Sequence, residues 1–187
     1  MPAPTPSQTI GPFLHIELPY DGEARLVEPN HSGAIRLLGT ITDAEGDPVN
    51  DALVEIWQAN AEGRYAHPED HREDVPLETG FTGFGRCATD HEGRFEFLTV
   101  KPGAVPGPDG QLQAPHIDVS VFARGLLNRL VTRIYFPDEA EANAVDPVLS
   151  LIEDDAQRKT LVARQDDGAL RFDIRLQGEG EITFFVV

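Results

Sequence analysis

Apolar and polar positions alternate along most of this chain with a period of two, the repeat of a strand with one face on a core and the other outward. Ile117, Val119, Val121 and Ala123 alternate with His116, Asp118, Ser120, Phe122 and Arg124. Leu130, Thr132, Ile134 and Phe136 alternate with Arg129, Val131, Arg133 and Tyr135, and Leu170, Phe172, Ile174 and Leu176 with Arg171, Asp173, Arg175 and Gln177. Further strands are predicted at Ile35–Ile41, Leu53–Gln58, Phe84–Thr89 and Arg94–Thr99, and the chain closes on another at Ile182–Val187. Turn residues separate them: Asp43 to Pro48, then Asn60, Glu62 and Gly63, then Asp90-His91-Glu92-Gly93. Seven or eight short strands of this kind predict a mainly β fold, a single-domain β-sandwich over 34–187.

Helix is expected in one insert, about 138–165. Pro137-Asp138-Glu139 suits a helix start, Asp146-Pro147 supplies a cap and a first-turn proline, and Leu149, Ile152, Ala156 and Leu161 form a weak apolar stripe. Residues 1–33 show no period and hold six of the fifteen prolines. They are either an unstructured tail or an extended arm that contacts a partner chain. The acidic 67–80 loop reads as solvated.

Charge narrows the partners. The chain has 187 residues and a formal net charge of −17, which argues against nucleic acid and anionic membranes. Any anionic substrate must then be met by locally placed arginines. The single Cys87 excludes an internal disulfide and suits a reducing compartment, where it serves as a small buried apolar residue. Neither a secretory leader nor an apolar run of ~20 residues is visible, so a soluble cytoplasmic protein is expected.

The chemistry concentrates at Gln113-Ala114-Pro115-His116-Ile117-Asp118. Alternate strand positions share a face, so His116 and Asp118 could aim an imidazole and a carboxylate at one ion. No histidine follows His116 to complete a two-histidine, one-carboxylate set. The pattern is that of an iron site with ligands missing.

Thr5-Pro6-Ser7-Gln8-Thr9-Ile10-Gly11-Pro12-Phe13, Glu55-Ile56-Trp57-Gln58-Ala59-Asn60, Gly85-Arg86-Cys87-Ala88-Thr89-Asp90, Lys101-Pro102-Gly103, His116-Ile117 and Arg171-Phe172-Asp173-Ile174 occur in this order. Together they resemble the intradiol ring-cleavage dioxygenases, and most closely the iron-free chain of the two-chain members. The resemblance runs from Thr5 to the C-terminus. It implies a β-sandwich and an Fe(3+) reaction that inserts both atoms of O2 between the hydroxylated carbons of a catechol. It also implies a paralogous beta chain that carries the iron, with protocatechuate and O2 as substrates of the complex.

In the iron-bearing chain of that family two tyrosines and two histidines hold the metal. Here they match Tyr65, Val105, His116 and Asp118, and an arginine expected before the histidine pair matches Gln113. The resemblance therefore implies no metal and no catalytic residue in this chain alone, with Tyr65 and His116 as hydrogen-bonded remnants. It further implies that Arg124 binds a substrate carboxylate in the partner's site, and that Thr9, Gly11 and Pro12 stand at the mouth of that site. Arg124 lies eight residues beyond His116, about 26 Å along an extended strand, too far to share this chain's own remnant site. Read from the residues alone, Arg124 forms a surface salt bridge, and Arg129, Arg133, Arg171 and Arg175 are outward, solvated or ion-paired. Two other functions stand beside the subunit: a self-sufficient metalloenzyme using Tyr65, His116 and Asp118, and a β-sandwich binding module without catalysis.

Overall fold

The computed structural model describes residues 6–11 and 13–186, and over them the alternation resolves into two β-sheets around a shared core. In chain order the elements are α1 (Phe13–Glu17), β1 (Ala34–Thr42), β2 (Leu53–Trp57), β3 (Phe84–Ala88), β4 (Arg94–Val100), β5 (Val105–Pro106), β6 (Leu112–Gln113), β7 (His116–Phe122), β8 (Leu130–Tyr135), α2 (Ala140–Ala144), a 3-10 turn (Leu149–Leu151), α3 (Asp155–Thr160), β9 (Arg164–Asp166), β10 (Ala169–Arg171) and β11 (Ile174–Arg175). One sheet runs β3-β2-β7-β8, antiparallel throughout. The other is built on β1, antiparallel to β4 on one edge and parallel to β10 and β11 on the other. Leu37, Ile41, Val54, Ile56, Phe97, Ile117, Val121, Ile134 and Ile174 point from the two sheets into one core, each almost wholly removed from solvent. At about 1.5–3 kcal/mol for each large apolar side chain, this shared burial is what holds the sheets together.

Four expectations are corrected. The strand expected over Leu170–Leu176 is broken at Phe172-Asp173, because the Asp173 carboxylate accepts the Thr40 N–H at 3.1 Å, where a regular strand would use its main chain. The strand expected over Ile182–Val187 shrinks to one bridge between Phe185 and Val131. The helical insert is three short turns ending at Thr160, with 164–166 already a strand, and Ala156 faces solvent while Leu149, Ile152 and Leu161 are buried. The segment expected to be an arm up to residue 33 enters the core earlier. Leu26 donates its N–H to Leu98 O at 2.8 Å and is 1 % exposed, with Val27 buried beside it. Among the described residues no helix is long and apolar enough to cross a membrane.

Candidate functional site

The pairing of three strands sets a row of side chains across the outer face of the four-stranded sheet. Trp57 on β2 pairs with Asp118 on β7, and Asp118 pairs with Arg133 on β8. His116, two positions from Asp118, is opposite Tyr135. The Arg133 Nε donates to Asp118 Oδ1 at 2.7 Å and its Nη1 donates to Gln113 Oε1 at 2.7 Å. Its side chain is only 19 % exposed, so of the alternatives expected Arg133 takes the ion-paired one.

His116 is buried. Its Nδ1 lies 2.7 Å from Ala114 O, so that nitrogen carries the proton and donates to the carbonyl. Nε2 is left as the acceptor, 3.9 Å from Asp118 Oδ2. Burial, and then the Arg133 charge, lower the affinity of His116 for a second proton, which keeps the imidazole neutral.

Tyr65 is brought to the row by backbone contact. Gly63 adopts φ +81°, and a Cβ there would meet Ala104 O at 2.2 Å. A Cβ on Gly103 would in turn meet Gly63 N at 2.5 Å. Only glycines allow the Tyr65 loop to press on the segment that leads into Val105. Asn60 fixes the loop by accepting the Arg64 N–H and donating to Pro76 O, both at 2.8 Å. The Tyr65 ring stacks on Trp57 with centroids 5.7 Å apart, and its N–H donates to Asp70 Oδ2 at 2.8 Å. Asp70 is 7 % exposed and paired with Arg72, whose guanidinium holds the carboxyl well below the usual range. The 67–80 loop is therefore anchored at Asp70 rather than freely solvated. A cleft of about 570 Å³ opens beside Trp57, Tyr65, His71, Arg72 and Pro106.

Burial and then the Asp118 charge push the Tyr65 phenol up to about 12, and burial also raises Tyr135. Both phenols stay protonated at neutral pH. A phenol that holds its proton more tightly folded than unfolded contributes stability below about 10, which is lost as pH rises through its folded value. Absorbance at 295 nm should show the Tyr65 and Tyr135 phenolates appearing together with the loss of β-sheet circular dichroism. Ionisation of all three tyrosines in a folded chain would contradict this.

The four matched positions do not fit a ferric ion. Val105 is buried and its side chain has no lone pair, and Asp118 Oδ1 already accepts from a guanidinium. Among the described residues no three His, Cys, Asp or Glu side chains are grouped to hold a metal.

Asp146, read from the sequence as a cap alone, is fully buried and does more. Its Oδ1 accepts from Tyr135 OH at 3.0 Å, Val148 N at 2.9 Å and Leu149 N at 2.8 Å, and Oδ2 accepts from Ala114 N at 2.8 Å. The insert is thereby locked to the peptide that leads into His116.

The other candidates gather past the opposite end of β7. Arg124 is 81 % exposed, and its Nε lies 3.1 Å from Asp51 Oδ2. The next residue, Gly125, donates its N–H to Thr9 Oγ1 at 2.7 Å, and Ser7 donates to Asn128 Oδ1 at 3.1 Å, so the N-terminal segment lies along the Arg124 turn. A Cβ on Gly11 would meet nothing within 4 Å, so any close approach there involves another molecule. Pro12 lies outside the described residues. Arg171 and Arg175 are held by Asp173 and by Ala44 O, and Arg129 is exposed.

The family profile described as "Dioxygenase" matches residues 21–178. The chain is 46% identical to a protocatechuate 3,4-dioxygenase alpha chain of Pseudomonas putida, over 97% of this chain and 95% of that one. It is 44% identical to a protocatechuate 3,4-dioxygenase beta chain of Burkholderia cepacia, over 77% of this chain and 64% of that one. Among solved structures, the dioxygenase domain of a carbohydrate-binding fusion from Streptomyces sp. SirexAA-E superposes with a TM-score of 0.59 at 26% identity, covering 93% of this chain and 99% of that one.

Proposed function

The chain belongs to the intradiol ring-cleavage dioxygenases, and on that premise we propose that it is the alpha subunit of a protocatechuate 3,4-dioxygenase. In this reading it holds no iron of its own and completes the substrate pocket beside the Fe(3+) of a paralogous beta chain. The complex cleaves protocatechuate with O2 to 3-carboxy-cis,cis-muconate. The observation that carries the reading is Val105: a buried valine stands at a ligand position in a chain 46% identical to an alpha chain.

Within the complex the iron supplies the oxygen chemistry, and this chain supplies position and charge. Arg124 presents its exposed guanidinium to the benzoate carboxylate, a planar match that a lysine does not make. The Thr9 hydroxyl, tied to the residue after Arg124, holds the segment so that Gly11 reaches the pocket mouth from the same side, and the family resemblance adds Pro12 to that mouth. A chain of net charge −17 repels an anionic substrate on balance, so a cation at the entrance also orients it.

Expression alone and with a beta-like partner tests this. The lone chain should be colourless and iron-free, and the co-purified hetero-oligomer should carry iron with the visible absorption of an iron–tyrosinate. Stoichiometric iron in the lone chain would make it a self-sufficient metalloenzyme, and iron in neither preparation would leave a binding module.

A further inference from the structure

The geometry assigns Arg133 a role: we propose that its guanidinium takes the place of a metal cation in the remnant site, and that its charge, in addition to the missing donor at Val105, keeps divalent cations out. Asp118 and Arg133 are direct cross-strand partners, so the guanidinium is delivered by the sheet's own register. It donates to Asp118 and to Gln113 with two different nitrogens, each at 2.7 Å. Near it are two donors that divalent metals accept, the His116 Nε2 lone pair and the Asp118 carboxylate 3.9 Å from it, and the Tyr65 phenol lies close enough to feel the Asp118 and Arg133 charges.

Arg133 is paired with Asp118, and Arg72 with Asp70 under Tyr65. Asp146 adds a buried carboxylate on the Tyr135 side, where it is taken up by four donors. An incoming ion would have to displace the guanidinium from the Asp118 carboxylate, against that guanidinium's own charge. The guanidinium is held by its ion pair and by hydrogen bonds, so the site keeps its arrangement without a metal.

The inference deepens the iron-free reading and is tested on the full-length chain with Co(II) alone as the probe. Arg133→Gln keeps an amide donor for Asp118 and loses the charge, while Arg133→Lys keeps the charge and loses the fork. The Gln variant should bind Co(II) on the order of a hundredfold more tightly than the parent chain, with visible d–d absorption that disappears in Arg133→Gln/His116→Gln. The Lys variant should behave like the parent. Equal affinity of the Gln and Lys variants, or absorption indifferent to His116, overturns the proposal. Should Arg133→Gln fail to fold, Asp118→Asn/Arg133→Gln should recover stability, because it removes the orphaned carboxylate, and no recovery is equally fatal. A parent chain that itself binds Co(II) sinks the iron-free reading as well, whereas a parent and a Gln variant that both exclude it sink this inference alone.

Discussion

Replacing Asp146 by alanine should remove roughly 4 kcal/mol or more of stability, a large share of what a domain of this size has. The substitution orphans four donors at once: Ala114 N, Tyr135 OH, Val148 N and Leu149 N. Each buried donor left without a partner costs about 1–3 kcal/mol, and water reaching the edges of the gap recovers part of it. Thermal unfolding followed by circular dichroism should show Tm lowered by about 8–16 °C. Asp154→Ala is the control, because Asp154 caps α3 in the open with one bond to Ala156 N at 2.8 Å, a contribution of about 1 kcal/mol. If the two variants melt together, the buried carboxylate is not the lock between the insert and the His116 peptide.

Arg124→Ala should raise KM for protocatechuate in the assembled complex by about 10- to 150-fold, the equivalent of one charge-assisted pair of about 1.5–3 kcal/mol. Iron content and assembly should not change, since Arg124 is exposed and its ion pair to Asp51 is a surface pair. Catechol lacks the carboxylate and should lose much less. The contrast between the two substrates is the measurement. A variant that handles both like the parent complex would make Arg124 a surface residue and defeat the shared-pocket reading.

The half of the fold that alternates strictly was legible in the sequence. β1, β2, β4, β7 and β8 lie within a residue or two of where period-two patterning puts them, because each buries one face on the shared core. The short pieces were not legible. β5, β6 and β9 are two or three residues long, too brief to show a period, and the break at Asp173 depends on a carboxylate that looks like any outward strand residue. Leu26 and Val27 were hidden because their burial comes from lying beside β4, with no pattern of their own.

The site was half legible. His116 and Asp118 could be read directly, and the lack of a donor at Val105 followed from the family resemblance. Arg133 was missed, although a hairpin folded about the Arg124–Asn128 turn sets it opposite Asp118, so the signal lay in the register rather than in the residue. Asp146 was seen as a cap, but its bonds to Ala114 and Tyr135 depend on tertiary packing that no local pattern encodes.

The edge of β1 that β10 and β11 cover has a consequence for synthesis. Its partners on that side are β10 and β11, and Thr40 waits for Asp173, 133 residues further along the chain. At translation rates of about 5–20 residues per second, the N-terminal strand leaves the ribosome on the order of ten seconds before the segment that covers it. During that interval a β-rich nascent chain carries an unpaired, template-ready edge, and chaperone occupancy should be greatest before residues 169–175 emerge.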